Sequence, residues 1–223
     1  MLTFLFDMDG TLLDSSSAIV DAVADGLTNA RKRIQLPAIT PDRELIINSL
    51  GLPNDEYFRT AYPQDSVPEE LRAEFALLYA EESEKCEVET IAAGNTELYP
   101  DVYATLVELK KRGHTLKLFT NSNTAYCDAV VKAHQLDELL TEHLPLERAR
   151  ELGIADTKTE MVKLLCPDLA NTVVVGDRNG DIEAGINCGT RTVGCSYGFG
   201  SPKEVQAADY IINSLSDILD IEF

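Results

Sequence analysis

Three short apolar runs punctuate the chain: Phe4–Phe6, Leu116–Phe119 and Val173–Val175. Each is too short for a helix and ends abruptly in polar residues, which predicts a strand buried on both faces. Between and after them the period changes. Val102, Leu106 and Leu109 recur at helical spacing over 100–112, with Gly113 just past the end as a stop. A helix is predicted from Thr124 to about His134, another over Met161–Cys166 and another over Ile182–Cys188. Further strands are predicted at Arg191–Cys195 and Asp209–Ile212, and Ser214 is placed to cap a short last helix. The stretch from Leu136 to Lys158 has no clean period. Strands alternating with helices predict an α/β fold, a doubly wound, Rossmann-like parallel sheet with helices on both faces.

One long segment breaks this rhythm. Ser15 to Ser17 can cap a helix carrying Ile19, Val23, Leu27, Ala30 and Ile34 on one face. Thr40-Pro41 reads as the start of a second helix, through Leu45 to Ile47, which Gly51 ends. Asn54 can cap a short third one, and Pro68 opens a longer helix through Leu71, Phe75, Leu78 and Tyr79 towards Cys86. The chain returns at Ala93-Gly94-Asn95. An all-helical cap domain of about 80 residues, below the commonest domain size, is therefore expected at 15–94, inserted into a core made of 1–14 and 95–223.

The chemistry gathers at the strand ends. Asp7 and Asp9 follow the first strand one residue apart, and Gly10 and Thr11 come next. Alternation along a strand would aim both carboxylates at one spot. Two buried like charges raise each other's pKa, so the pair calls for a cation, or for a nucleophile beside a general acid/base. Thr120 and Asn121 end the second strand; Asp177, with Asp181 four residues on, ends the third. Ligands bind at the carboxyl ends of strands in such sheets.

Charge narrows the partners. The 223 residues carry a formal net charge of −19, a surface that repels nucleic-acid phosphates and anionic lipid. A phosphorylated substrate needs a local positive site to overcome it. Cys86, Cys127, Cys166, Cys188 and Cys195 are odd in number and form no C-x-x-C pair, which points to a reducing, cytoplasmic location rather than to zinc or disulfides. No leader and no apolar run of membrane-spanning length is read. His114, His134 and His143 are scattered and make poor ligand candidates, and Tyr57, Phe58, Phe75 and Tyr79 read as core.

Four segments in order, FDMDGTLLD, LKLFTNSN, ADTKTEMVKLL and TVVVGDRNGD, resemble the motifs of the haloacid dehalogenase superfamily, in its phosphatase branch. LYPDVYATLVELKKRG and YGFGSPKEVQAADYIINS are similar to the phosphoglycolate phosphatase-like group. The resemblance implies that Asp7 is a nucleophile forming an aspartyl-phosphate and that Asp9 is the general acid/base. It further implies that the Asp9 main-chain carbonyl, Asp7 and Asp177 hold Mg²⁺, a cation suited to hard oxygen ligands. Asp181 would bind the metal, orient its waters, or simply cap a helix. Gly10 gives close backbone approach, while Thr120, Asn121 and a lysine meet the phosphate. Lys158, which precedes a helix, is favoured over Lys163, which falls inside it. Arg178 stands where Ser or Thr is common; it could pair with the cap or an acidic residue, and surface ion pairing is the favoured reading. The short strand that the family places between 136 and 158 is expected as well.

The implied activity is a Mg²⁺-dependent phosphatase of a small phosphorylated metabolite. Phosphoglycolate, a nucleoside monophosphate, a sugar phosphate and pyrophosphate stay open. Specificity is expected in the loop Gly51–Asn54. A sugar-phosphate mutase similar to β-phosphoglucomutase shares every core motif, and a non-catalytic binding module is the reading from another class.

Overall fold

The computed structural model describes residues 1–52, 56–57 and 60–223. Asn54 and Phe58, expected as a helix cap and a core residue, lie outside these. In chain order the elements are β1 (Thr3–Phe6), β2 (Leu13–Asp14), α1 (Ala18–Arg33), α2 (Arg43–Ser49) and α3 (Arg72–Ala92). Then come β3 (Glu97–Leu98), α4 (Val102–Lys111), β4 (Thr115–Thr120), α5 (Thr124–Ala133), β5 (Glu142–Pro145) and α6 (Leu146–Glu151). The chain closes with α7 (Lys158–Leu165), β6 (Thr172–Gly176), α8 (Asn179–Cys188), β7 (Arg191–Cys195), α9 (Pro202–Val205) and β8 (Tyr210–Ile212).

Six of the strands make one parallel sheet in the order β5-β4-β1-β6-β7-β8. Its central strands alternate between two apolar layers. Phe4 and Phe6, Leu116 and Leu118, and Val173 and Val175 face one cluster with α4 and α5. Leu5, Phe119 and Val174 face a second cluster with α6, α7 and α8. Helices thus cover both faces, as an all-parallel sheet requires. The α/β doubly wound core is the predicted one, and the unreadable stretch before Lys158 contains the expected short strand, β5.

The register fixes where the chemistry falls. Phe6 pairs with Leu118 on one side and Val175 on the other. Residues just past those positions, Asp7, Thr120 and Asp177, therefore emerge along one edge. The chain changes direction across the sheet at β1, between β4 and β6, which is where a crevice opens in such folds.

The helices α1, α2 and α3 lie between β2 and β3, a two-residue antiparallel ribbon pairing Leu13 with Leu98 and Asp14 with Glu97. The ribbon ties the outgoing and returning chains side by side. α1 and α3 cross closely: a Cβ on Gly26 would lie 2.6 Å from the Ser83 backbone. Tyr62, Phe75 and Tyr79 interlock with ring centroids 5.0–6.0 Å apart, as expected of core rings. Tyr57 stacks on Tyr79 and also lines a cavity.

Two helix starts differ from the sequence reading. Asp42, not Thr40, caps α2, its carboxylate accepting from the Glu44 and Leu45 amides at 3.0 and 3.3 Å. A carboxylate there also answers the helix dipole. Ser17 sits at the start of α1 but makes no side-chain cap bond; of its neighbours, Ser16 turns to Asp14 and Ser15 to Asp9. The short last helix is a 3₁₀ turn, Leu215–Asp220, with Ser214 at its N-cap in a capping box, as expected; the Asp217 carboxylate accepts from the Asn213 and Ser214 amides at 2.9 and 3.1 Å. The helix over Pro202–Val205 starts with a capping box between Ser201 and Glu204 and a proline in its first turn.

Candidate active site

Asp7 leaves β1 with its amide bonded to the Val175 carbonyl at 2.9 Å, so it extends the ladder while its side chain turns to the strand ends. Its carboxylate is 2 % exposed. Oδ1 accepts from Lys158 Nζ at 2.6 Å; Oδ2 is buried with no hydrogen-bond partner among the described residues. Lys158 is the first residue of α7, whose start Thr157 caps by accepting from the Glu160 amide. Its ammonium also donates to Asp181 Oδ1 at 2.5 Å and lies 4.8 Å from the centre of the Phe119 ring, a favourable place for a cation. Lys163 stays on the far part of α7 and has no contact with these carboxylates.

Asp177 follows β6 and is fully buried. Thr11 Oγ1 donates to its Oδ1 at 3.3 Å, and the Phe199 and Gly200 amides donate to its Oδ2 at 2.7 and 3.1 Å. The loop after β7 thus folds over Asp177 closely enough that a Cβ on Gly200 would collide with the Asp177 carbonyl. Gly10 has φ +81° and its Cβ position falls on the Asp177 carboxylate, so this turn admits only glycine. Asp181, also fully buried, does two things at once. Oδ2 accepts from the Arg178 amide at 3.1 Å, capping α8, while Oδ1 takes Lys158.

Asp7, Asp177 and Asp181 offer carboxylate oxygens within 4.8 Å of one another. Three carboxylates with one lysine leave uncompensated negative charge in a dry place. Burial, opposed by Lys158 and reinforced by Asp181 and Asp177, holds the Asp7 carboxyl well above its ordinary range. Burial with Asp181 beside it pushes Asp177 up to about 7. Lys158 is pulled upward: its two carboxylate partners outweigh the effect of burial, so it stays charged. An orphaned oxygen and a hard, all-oxygen donor set fit Mg²⁺.

Asp9 does not share this cluster. β1 ends at Phe6, so the two-residue alternation does not carry through to position 9. The Asp9 Oδ1 instead accepts from the Ser15 hydroxyl and from Tyr126 OH, the latter at 2.6 Å. Burial raises its pKa, and these two hydrogen bonds hold back the rise. A carboxyl whose pKa burial raises, and which stands apart from the nucleophile candidate, is suited to proton transfer. Ser15 and Tyr126 were missed by sequence reasoning. Ser15 looked like a helix cap, and nothing local marks Tyr126, which is 117 residues from Asp9.

Thr120 is buried at the end of β4, its hydroxyl accepting from the Ser122 amide at 3.2 Å. Asn121 reaches away from the carboxylates: Nδ2 donates to the Gly51 carbonyl at 2.9 Å, across to the loop after α2. Arg178 is the clearest departure from the sequence reading. Only 11 % exposed, it donates to the carbonyls of Asn48 at 3.0 Å and Leu50 at 2.8 Å, and meets Glu204 at 3.4 Å. The C-terminal end of α2 supplies unpaired carbonyls and negative dipole, and a guanidinium satisfies both. His114, His134 and His143 bond to Leu2, Thr96 and Asp128, away from the site.

A model of the haloacid dehalogenase-like hydrolases matches residues 1–189. The chain belongs to that family. Pyrophosphatase PpaX of Bacillus mycoides is 28 % identical, the match covering 98 % of this chain and 95 % of the relative. A phosphoglycolate phosphatase of Vibrio parahaemolyticus is 27 % identical, covering 97 % and 93 %. Among solved structures, a haloacid dehalogenase-like family protein of Streptococcus pneumoniae superposes with a TM-score of 0.77 at 20 % identity, covering 99 % of this chain and 97 % of that one. A predicted phosphoglycolate phosphatase of Haemophilus somnus gives 0.76 at 24 %, with the same coverage. The fold of this haloacid dehalogenase-like hydrolase is therefore shared from end to end. Among the described residues, no helix is long and apolar enough to cross a membrane.

Proposed function

We propose that this hydrolase is a Mg²⁺-dependent phosphatase acting on a small phosphomonoester through an aspartyl-phosphate on Asp7. The observation that carries the reading is the division of labour between two buried carboxylates. Asp7 is bound to Lys158 and keeps one oxygen free, while Asp9 is held apart by Ser15 and Tyr126 on the wall of the adjoining cavity. An Asp7 oxygen attacks phosphorus and the bond to the leaving oxygen breaks, Asp9 giving that oxygen its proton. A water then attacks the phosphoryl group, Asp9 taking the water's proton, and Asp7 is released with inorganic phosphate. Lys158 compensates the charge of Asp7 and phosphate, and Thr120 with the Asn121 amide offers donors to the phosphoryl oxygens. Asp7, Asp177, Asp181 and the Asp9 carbonyl would hold Mg²⁺, which when bound offsets the gathered negative charge and fixes both reacting anions.

The segment 15–94 serves in this reading as a cap that closes over the core 1–14 and 95–223, with the β2–β3 ribbon as its hinge and the contacts from Arg178 and Asn121 to the loop after α2 as its latch. Closure of this kind excludes water and completes a site. The relatives' names point to two substrates, phosphoglycolate and pyrophosphate, both with a second anionic group.

The test is hydrolysis of p-nitrophenyl phosphate. Turnover with Mg²⁺ is expected, with loss in chelator, recovery on adding Mg²⁺ back, and inhibition by Ca²⁺, which takes more ligands at longer distance. Full activity in chelator would refute the metal assignment.

A further inference from the structure

We infer that the leaving group carries a positive charge: this site takes the phosphate ester of an amino alcohol, its ammonium seated against Glu84 and Glu87. The inference rests on the phosphatase reading and names the substrate class within it. Two cavities adjoin the site. One of about 510 Å³ reaches Lys158 and Asp181. The other, of about 180 Å³, lies beside Asp9, the proton donor of the proposed mechanism, and is the place for a leaving group, since Asp9 and Thr120 form part of its wall. Its opposite wall is acidic. Glu81, Glu84 and Glu87 enter from α3 and Glu147 from α6, and no lysine or arginine lines it among the described residues.

Two of those carboxylates are already answered. Glu81 pairs with Arg33 at 2.8 Å, and Glu147 accepts from the Thr124 amide at 2.7 Å, at the start of α5. Glu84 and Glu87 are not. Three residues apart, they share one face of α3, and neither has a hydrogen bond or ion pair among the described residues. Glu87 is only 9 % exposed. A carboxylate buried to that degree without a partner is costly, and a cationic ligand in the adjoining cavity would supply the missing charge. Burial, with Asp9 and Glu84 nearby, pushes Glu87 up to about 8, a strain that a bound cation relieves. Tyr57 adds an aromatic wall, a surface that favours ammonium groups. The carboxylate of phosphoglycolate or the second phosphate of pyrophosphate would instead find no lysine or arginine on this wall among the described residues, and would push Glu84 and Glu87 further from their charged forms.

The experiment compares kcat/KM for three esters of similar size, 2-aminoethyl phosphate, 2-hydroxyethyl phosphate and phosphoglycolate, with Mg²⁺ at neutral pH and low salt. Turnover of p-nitrophenyl phosphate serves as the reference. The ammonium ester is expected to exceed the neutral one by roughly tenfold, and the neutral one to exceed phosphoglycolate by at least as much. Glu87→Gln and Glu84→Gln should each lower the ammonium-to-hydroxyl ratio severalfold. Glu84, half-exposed on α3, carries this readout if the Glu87 variant fails to fold. Equal rates, a reversed order, or a preference that survives both substitutions overturns the inference while cleavage of p-nitrophenyl phosphate keeps the phosphatase reading. If none of the four esters is cleaved, the phosphatase reading falls and the inference with it.

Discussion

The hydroxyls of Ser15 and Tyr126 decide what Asp9 can do, because they fix the carboxyl without neutralising it. In the proposed mechanism, replacing Asp9 by Asn removes proton transfer but leaves Asp7 and Lys158 as they are. Esters with good leaving groups should still phosphorylate the enzyme, and breakdown of the intermediate should stall for want of a base. Equal slowing of good and poor leaving groups would contradict that role. Glu87 makes a prediction of a different kind. Its folded pKa of about 8 lies above the ordinary carboxyl value near 4.3. Below about pH 4 both states are protonated and Glu87 has no effect on stability. As pH rises towards 8 the unfolded chain ionises first, so stability falls with pH across that window. Glu87→Gln removes the dependence. Its melting temperature should exceed the wild-type value by several degrees at pH 8.5 and by little at pH 4.5; a constant difference would argue against an ionisable, strained Glu87.

Among the elements, legibility followed burial. β1, β4 and β6 are closed in on both faces, so they stand out as apolar runs. β5 is an edge strand with only Leu144 and Pro145 buried, and its pattern fades into the loops around it. β2 and β3 are two residues each and exist only because the two chain crossings meet, a pairing no local window contains. The same logic divides the site. Asp7, Asp177 and Lys158 are placed by strand ends and a helix start, which local sequence marks. The partners of Asp9, the amides over Asp177 and the Arg178 contacts to α2 are set by tertiary proximity alone. Arg178 turns that distinction into a measurement. As a surface ion pair it would be worth less than about 1 kcal/mol. As the group satisfying the Asn48 and Leu50 carbonyls, its loss in Arg178→Ala should cost roughly 1–3 kcal/mol in urea unfolding, and Arg178→Lys should recover only part, since an ammonium lacks the planar fork. A cost near zero would return Arg178 to the surface reading.

For the molecule as a whole, one problem recurs at every level: a chain of net charge −19 that handles a phosphate. The sheet solves it by bringing three strand ends to one edge and setting Lys158 among carboxylates that a divalent cation fits. The helices between β2 and β3 then close one side with the acidic wall of α3. These features support the proposed covalent route through Asp7, and that route has a direct test. The Asp9→Asn protein is mixed with an activated phosphate ester and Mg²⁺, quenched in acid within milliseconds, digested, and sequenced by mass spectrometry. A phosphoryl group on Asp7, released by hydroxylamine as an acyl-phosphate is, is the expected result. Turnover with no phosphorylated peptide, or with the phosphoryl group on any other residue, would contradict it.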